Sequence, residues 1–300
     1  MFGRNRTRQN ASTRRPRLAI ERLDVNELHF AEELPEGREL KLPGRGTAFV
    51  RIAQGPDGAP TILLLHGLMA TADLNWSLAM PVLASRFNVV APDLRGHGRG
   101  MRTSRFSGEE CADDAAAIVQ ALGLDQVVVV GYSLGGLVAQ IFVRRHPELA
   151  AGLVLCATAG RFDVPTAKGI LRVVEQTARM LPEPARRAAI MALLAPKSAD
   201  SDRGRWLLDE VRRHDTAALL DAIAEAGRFD SGDWLGDITC SAAVIVMQDD
   251  KVVSPEAQRD LARSLGQGFV FEMEGDHFAC IKRPEEFNAI LVAACAGAQA

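Results

Sequence analysis

The sequence has few of the features that identify disulfide-rich, zinc-binding, membrane or cofactor-dependent proteins. Its five cysteines are an odd number and include no Cys-x-x-Cys pair, which argues against a disulfide framework and a structural zinc site and indicates a reducing cytosol. No apolar run reaches the ~18 residues that a membrane-spanning helix needs. The chain has no Rossmann or Walker motif and no cluster of metal ligands, so we expect no cofactor and no metal. We therefore predict a cytoplasmic protein without a membrane span.

Charge is nearly balanced over the whole chain, with a net value of −3. Composition therefore gives no general reason to expect nucleic acid or an anionic membrane as a partner. The N-terminus is the exception, because six arginines fall between Arg4 and Arg17 among Asn, Ser, Thr and Gln. No hydrophobic segment of the secretory type follows them. We predict that residues 1–17 form a disordered basic tail, with a nucleic-acid or membrane-tethering arm as the alternative.

Short apolar runs alternate with helical patterns along most of the chain. Such runs are typical of strands that are buried on both faces of a sheet. Strands are predicted at 48–52, 62–65, 88–91, 127–130, 153–156, 244–246 and 269–272, and helices at 74–85, 109–122, 134–145, 255–265 and 284–295. The repeated strand–helix order requires parallel strands joined by right-handed crossovers. We predict one α/β core made of residues 18–160 and 235–300, with its first strand antiparallel.

The interval 161–234 interrupts this rhythm. It carries amphipathic helical patterns at 170–180, 184–194, 206–214 and 217–226 and no convincing strand. This interval is too long to be a simple connection between two strands. We predict a helical lid insertion over the carboxyl ends of the strands, where open α/β sheets bind their ligands. Its acidic and basic residues are equal in number, so no charge excess favours an ionic substrate.

A sharp strand-to-helix turn is predicted at Gly131-Tyr132-Ser133-Leu134-Gly135, which matches the Gly-x-Ser-x-Gly pattern. A β-branched strand runs directly into it and a helix leaves it, which is the context that a nucleophile elbow requires. A serine at the apex must adopt a strained backbone conformation, and side chains two residues before or after it would collide. The alternative is a Gly-rich turn that packs the helix or cradles a phosphate, but no lysine follows it.

The elbow and three further segments together resemble the α/β-hydrolase family over roughly residues 48 to 295. The likeness is greatest to the lidded serine hydrolases common in actinobacteria. The further segments are His66-Gly67, Asp93-Leu94-Arg95-Gly96-His97-Gly98 and Gly275-Asp276-His277-Phe278. The resemblance implies the α/β-hydrolase fold, a mostly parallel central sheet flanked by helices with an inserted helical lid. It also implies a serine nucleophile, Ser133.

A serine hydroxyl needs a neighbouring base to take its proton. His277 follows the last predicted strand, which sets it at the same sheet edge as Ser133, and the family order Ser…Asp…His also places the base there. We expect His66 and His97 to be structural hydrogen-bonding residues in their turns. His146 and His214 are expected at the surface.

The base needs a carboxylate that fixes its tautomer. Asp249 and Asp250 both end the strand at 244–246, and the family pattern Gly-x-x-Asp-x-Val places the acid on Asp250. Met247 stands where that pattern usually has glycine, so Asp249 stays an alternative. Asp163 is a minor alternative for the acid, and Asp276 is expected to be a solvated loop residue.

Two backbone N–H groups are the expected oxyanion hole, since they stabilise a tetrahedral oxygen without a titratable group. The amide of Leu134 directly follows the nucleophile. The resemblance to the His-Gly-x motif implies the amide of Leu68 as the second donor, with an ordinary strand-ending turn as the alternative. Asp93 is expected to brace its loop through hydrogen bonds and is not assigned to catalysis.

These predictions indicate a serine hydrolase that cleaves a neutral, partly apolar carboxylic ester of a small molecule through an acyl-enzyme. Epoxide hydrolases and haloalkane dehalogenases of this fold need aspartate at the elbow, and epoxide opening also uses lid tyrosines. Here Ser133 occupies the elbow and Tyr132 is the only tyrosine. The remaining alternatives are cofactor-free acyl transfer or perhydrolysis, and thioester, lactone or C–C bond hydrolysis. A non-catalytic ligand-binding protein is a further one.

Overall fold

The computed structural model describes residues 27–31, 33–103, 105–162, 178, 180–194, 201–266 and 268–299. The predicted basic tail, most of the predicted helix at 170–180 and Asp163 lie outside these residues. The strands are β1 Glu36–Leu42, β2 Gly46–Ala53, β3 Thr61–Leu65, β4 Asn88–Pro92, β5 Val127–Tyr132, β6 Ala150–Cys156, β7 Ala242–Met247 and β8 Gly268–Met273.

Helices occupy most of the intervals between the strands. They are α1 Ala72–Trp76, α2 Ala79–Ala84, α3 Gly108–Ala121, α4 Leu134–Arg145, α5 Glu183–Leu194, α6 Asp202–Arg212, α7 Thr216–Arg228, α8 Pro255–Ser264, α9 Ala279–Lys282 and α10 Pro284–Gly297. Short 3-10 turns lie at Pro147–Leu149 and Leu235–Asp237. Among the residues given above, no helix is both long and apolar enough to cross a membrane.

Each strand predicted from an apolar run lies inside an observed strand, whereas two details of the prediction were wrong. The segment 74–85 is not one helix, because α1 ends at Trp76 and α2 begins at Ala79. Pro81 has no N–H to donate to the carbonyl of Ser77, and its ring crowds that carbonyl, which breaks the helix there. The pattern also misses β1, whose mostly polar and exposed sequence forms the edge of the sheet.

The eight strands form one sheet in the order β1-β2-β4-β3-β5-β6-β7-β8. Strand β2 is antiparallel to both of its neighbours, and all other pairs are parallel. The chain passes from β3 to β4 on one side and then to β5 on the other side of β3. Such a reversal opens a crevice at the carboxyl ends of the strands. Leu65 pairs with Gly131 across this point, so the loops after β3 and β5 lie side by side.

The hydrophobic core lies on both faces of the sheet. Val127 and Val129 belong to one core cluster and Val128 and Val130 to the other, because successive side chains of a strand point to opposite faces. Helices α3, α4 and α8 cover the first face, and α1, α2 and α10 cover the second. Since both faces are buried, β5 is apolar throughout, which explains its run of valines.

Helices α5, α6 and α7 lie between β6 and β7 in the chain, where the sequence predicts an inserted helical segment. Asp215 caps the N-terminus of α7, where its carboxylate accepts from the N–H groups of Ala217 and Ala218. The described part of this segment has one strand-like pairing, an isolated antiparallel bridge between Arg161 and Asp230. That bridge brings the two ends of the segment together beside the sheet.

Candidate active site

Ser133 lies at the junction between β5 and α4 in a strained conformation, with φ 52° and ψ −115°. Positive φ is uncommon for a residue with a Cβ and persists only where the surrounding structure enforces it. Glycines make this turn possible. A Cβ on Gly131 would overlap the carbonyl oxygen of Gly135, and a Cβ on Gly135 would overlap that of Leu65. The strained, half-buried serine therefore sits where the elbow pattern predicts it.

His277 connects Ser133 to a buried carboxylate. Its Nε2 lies 3.0 Å from the Oγ of Ser133, and its Nδ1 lies 2.7 Å from an oxygen of Asp250. Because a carboxylate accepts from Nδ1, that nitrogen carries the proton and Nε2 presents its lone pair to the hydroxyl. The three side chains, which follow strands β5, β7 and β8, therefore have the order that serine activation requires.

Asp250 is held in place by several donors besides the imidazole. The N–H groups of Val252 and Val253 donate to one of its oxygens, and the amide of Gln258 donates to the other. The structure thus places Asp250, and not Asp249, against His277. Asp249 is exposed and accepts from the N–H of Gly275 instead.

The two predicted oxyanion donors belong to segments that adjoin Ser133. Leu134 is the first residue of α4, so its N–H has no partner within the helix. Gly67 directly precedes Leu68, and a Cβ on Gly67 would lie 3.5 Å from the Cβ of Ser133. Within the described part of the chain, neither the Leu68 N–H nor the Leu134 N–H donates to a protein acceptor. Both groups are available to a ligand oxygen.

Hydrogen bonds to its carbonyl group hold the peptide that carries the Leu68 N–H. Its carbonyl, that of Gly67, accepts from the Nδ1 of His66 at 2.8 Å and from the N–H of Ala70 at 3.2 Å. The N–H of Gly67 donates to the side chain of Asn75 at 2.9 Å. In a trans peptide the N–H points opposite to the carbonyl, so the Leu68 N–H points away from these donors.

Two further expectations concern structural residues near the site. Asp93 braces its loop as expected, since it accepts from the N–H groups of Ala72 and Arg99, both at 2.8 Å, and burial raises the pKa of this carboxyl. His66 also serves as a structural hydrogen-bonding residue, because its Nε2 accepts from the N–H of Leu94. Burial lowers the pKa of His66 to about 3.

The expectation that His214 lies at the surface was wrong. Its side chain is 1% exposed, and its ring packs edge-on against the buried ring of His97 at a centroid distance of 5.3 Å. Burial lowers the pKa of both imidazoles to about 3. The helical pattern around His214 gave no sign of this packing, since it depends on loops from distant parts of the chain. His146 is half-buried and bonds to Asp113.

Sequence reasoning assigned no role to two other residues that contact the site. The hydroxyl of Tyr132 donates to the carbonyl of His277 at 2.9 Å, and Asn75 holds the N–H of Gly67. Their positions in the sequence place both residues near the site, since Tyr132 is inside the elbow and Asn75 belongs to the Leu-Asn-Trp segment of α1. Their partners could be identified only in three dimensions.

Comparison with known proteins identifies the family to which the fold belongs. A family model described as "alpha/beta hydrolase fold" matches residues 60–284. A pimeloyl-[acyl-carrier protein] methyl ester esterase of Chromobacterium violaceum is 30% identical over 246 residues, which cover 79% of this chain and 92% of the relative. A 2-hydroxymuconate semialdehyde hydrolase of Pseudomonas is 35% identical over 148 residues, covering 48% of this chain and 50% of the relative.

Solved structures give the same result. A thermophilic esterase of Thermogutta terrifontis superimposes with a TM-score of 0.65 at 26% identity, covering 85% of this chain and 96% of that one. The enol-lactonase of Burkholderia xenovorans LB400 superimposes with a TM-score of 0.69 at 22% identity, covering 85% of this chain and 98% of that one. At that identity the second likeness concerns the fold. With the family model covering most of the sequence, this chain belongs to the alpha/beta hydrolase fold family.

Proposed function

We propose that this protein is a serine hydrolase that cleaves a neutral, partly apolar carboxylic ester through an acyl-enzyme intermediate. The observation that carries the proposal is the continuous contact from Ser133 through His277 to Asp250, with separations of 3.0 and 2.7 Å. Relatives named as esterases and hydrolases support the reaction class. The proposed substrate is a small molecule.

The proposed reaction has two halves that use the same groups. His277 Nε2 takes the proton of Ser133 as Oγ bonds to the ester carbonyl carbon, and the carbonyl electron pair moves to its oxygen. The N–H groups of Leu68 and Leu134 stabilise that oxyanion, helped by the positive end of α4. When the tetrahedral intermediate collapses, the C–O bond breaks and His277 gives its proton to the leaving alcohol. Water then repeats the sequence on the acyl-enzyme, while Asp250 stabilises the imidazolium.

The helices α5 to α7 are proposed to belong to a lid over this site, spanning residues 161–234 between the two parts of the core. Support comes from the region around residue 214, where the segment packs on the loops after β3 and β4 at the carboxyl edge of the sheet. The balance of acidic and basic residues in the segment supports a neutral substrate. Its apolar residues would contribute to a pocket for the acyl or alcohol group.

The test is active-site labelling combined with a series of esters. A fluorophosphonate should label the wild type, and peptide mapping should place the label on Ser133. Ser133→Ala should abolish labelling and lower kcat for p-nitrophenyl esters by roughly 10⁴-fold or more while the fold stays intact. Ser264→Ala, which removes an exposed hydroxyl on α8, is the matched control and should keep full activity. Turnover by Ser133→Ala at the wild-type rate would refute the proposal.

A further inference from the structure

The connection between α6 and α7 crosses the two loops that flank the candidate active site. On one side, the hydroxyl of Thr71 donates to the buried carboxylate of Glu210 at 2.9 Å. On the other side, the N–H of Asp215 donates to the carbonyl of Gly96 at 2.9 Å. Gly96 has no space for a side chain, because a Cβ would overlap that of Ala218. The end of α6, the α6–α7 connection and the start of α7 are therefore packed closely on the core at these loops.

His214 lies at the centre of this contact and pairs with both loops. Its Nδ1 accepts from the N–H of Gly98 at 3.0 Å, and its Nε2 lies 3.1 Å from the carbonyl of Met69. Since an N–H can donate only to a nitrogen lone pair, the proton of the ring must be on Nε2, where it donates to Met69. Burial lowers the pKa of His214 to about 3, which agrees with a neutral ring.

Met69 is the residue after Leu68 and has a strained backbone, with φ 57°. It occupies the third position of the turn that is closed by the bond from the N–H of Ala70 to the carbonyl of Gly67. A positive φ at this position is normally taken by glycine or asparagine. A methionine keeps such a conformation only if its surroundings hold it there. The bond from His214 is a restraint on this residue from outside the loop.

We propose that His214 is a positioning residue that holds the Leu68–Met69 backbone so that the Leu68 N–H faces the reacting oxygen. The inference rests on the proposed function, because it assigns His214 to the oxyanion hole of that reaction. If His214 has this role, the α6–α7 connection is a component of the active site in addition to being part of the proposed lid. His214 acts through the backbone and touches neither Ser133 nor the substrate.

Two substitutions separate this role from simple packing. In Asn the side-chain oxygen reaches the position of Nδ1, so His214→Asn keeps the acceptor for Gly98 and loses the donor to Met69. In Gln the amide nitrogen reaches the position of Nε2, so His214→Gln keeps the donor to Met69 and loses the acceptor for Gly98. Each variant leaves one backbone group without its partner, and the two should lose similar stability. His146→Asn, on a half-buried histidine away from these loops, is the control.

The readouts are kcat and KM per active site titrated with a fluorophosphonate, at a temperature well below the unfolding transition of each variant. His214→Asn should lower kcat by roughly 10- to 100-fold with little change in KM, since loss of a whole oxyanion donor costs about 10²- to 10³-fold. His214→Gln should stay within about threefold of the wild type. A trifluoromethyl ketone, whose carbonyl oxygen becomes an oxyanion when Ser133 adds to it, should bind His214→Asn more weakly by the same factor.

Several results would overturn the inference. If both variants keep the wild-type kcat, or both lose it equally, the bond to Met69 has no special part in the reaction. If kcat falls in His214→Asn but ketone affinity does not, the oxyanion site is not what changed. Failure of the proposed function is distinct, because then the wild type itself neither turns over esters nor takes up the label at Ser133.

Discussion

Acid should destabilise this protein well above the pH at which carboxylates usually titrate. The rings of His66, His97 and His214 form a buried cluster with successive centroid distances of 5.3 Å. Burial lowers the pKa of each to about 3, compared with 6.5 for a free imidazole. Below pH 6.5 the unfolded chain binds a proton at each ring and the folded chain does not. Unfolding therefore takes up protons, and the free energy of unfolding falls as the pH falls from about 6.5 toward 3.

The size of the effect follows from these values. Each ring changes the free energy of unfolding by about 2 kcal/mol between pH 7 and pH 5, at roughly 1.4 kcal/mol for each pH unit in the titrating range. Three rings give an upper bound of about 6 kcal/mol, which is comparable with the whole stability of many domains. Asp93 and Glu210 act in the opposite direction, because burial raises their pKa and they take up protons in the folded state. The net loss should therefore be smaller than this bound.

The assay is urea unfolding at half-unit steps from pH 7.5 to pH 5, followed by far-UV circular dichroism. The free energy of unfolding should fall between pH 7 and pH 5. His97→Gln should reduce this slope by at least about a third, since it removes one of three rings whose combined effect Asp93 and Glu210 partly offset. Ser264→Ala should leave the slope unchanged, because it removes an exposed hydroxyl that does not titrate in this range. Equal stability at pH 7 and pH 5, or an unchanged slope in His97→Gln, would refute the reasoning.

Four substitutions near the site test its remaining parts. Asp250→Asn should lower kcat by about 10⁴-fold, because the imidazole of His277 would then adopt the wrong tautomer. Asp249→Asn should not lower kcat. Equal effects of the two substitutions in ester assays would contradict the assignment of Asp250 as the acid. Tyr132→Phe removes the bond to the His277 carbonyl and should lower kcat by roughly threefold to tenfold, whereas unchanged kinetics would show that the bond does not position the base. Gly135→Ala should lower the free energy of unfolding by about 2 to 3 kcal/mol, because its Cβ would overlap a carbonyl of β3; wild-type stability in urea would contradict this.

The sequence predicts a large part of this fold because its signals are local. A strand that is buried on both faces must be apolar throughout, so the run 127–130 identifies β5 without knowledge of its neighbours. The elbow is largely local as well, since the strain at Ser133 and the crowding of Gly131 against Gly135 arise within five residues. The need for glycine at position 135 is not local, because it comes from the close approach of Leu65 on β3. The polar edge strand β1 carries no such signal, because what makes it a strand is its pairing with β2.

Contacts between distant segments were decided only by the tertiary structure. Sequence placed Asp249 and Asp250 one residue apart as possible acids, and the difference between them is the direction in which the loop after β7 turns toward His277. His214 gave the wrong expectation for the same reason, since an amphipathic helix pattern does not show which loops it will cover. A residue's type and spacing determine what chemistry it can do. Its neighbours, burial and backbone partners are set by chain packing, and these decide which chemistry it is placed to support.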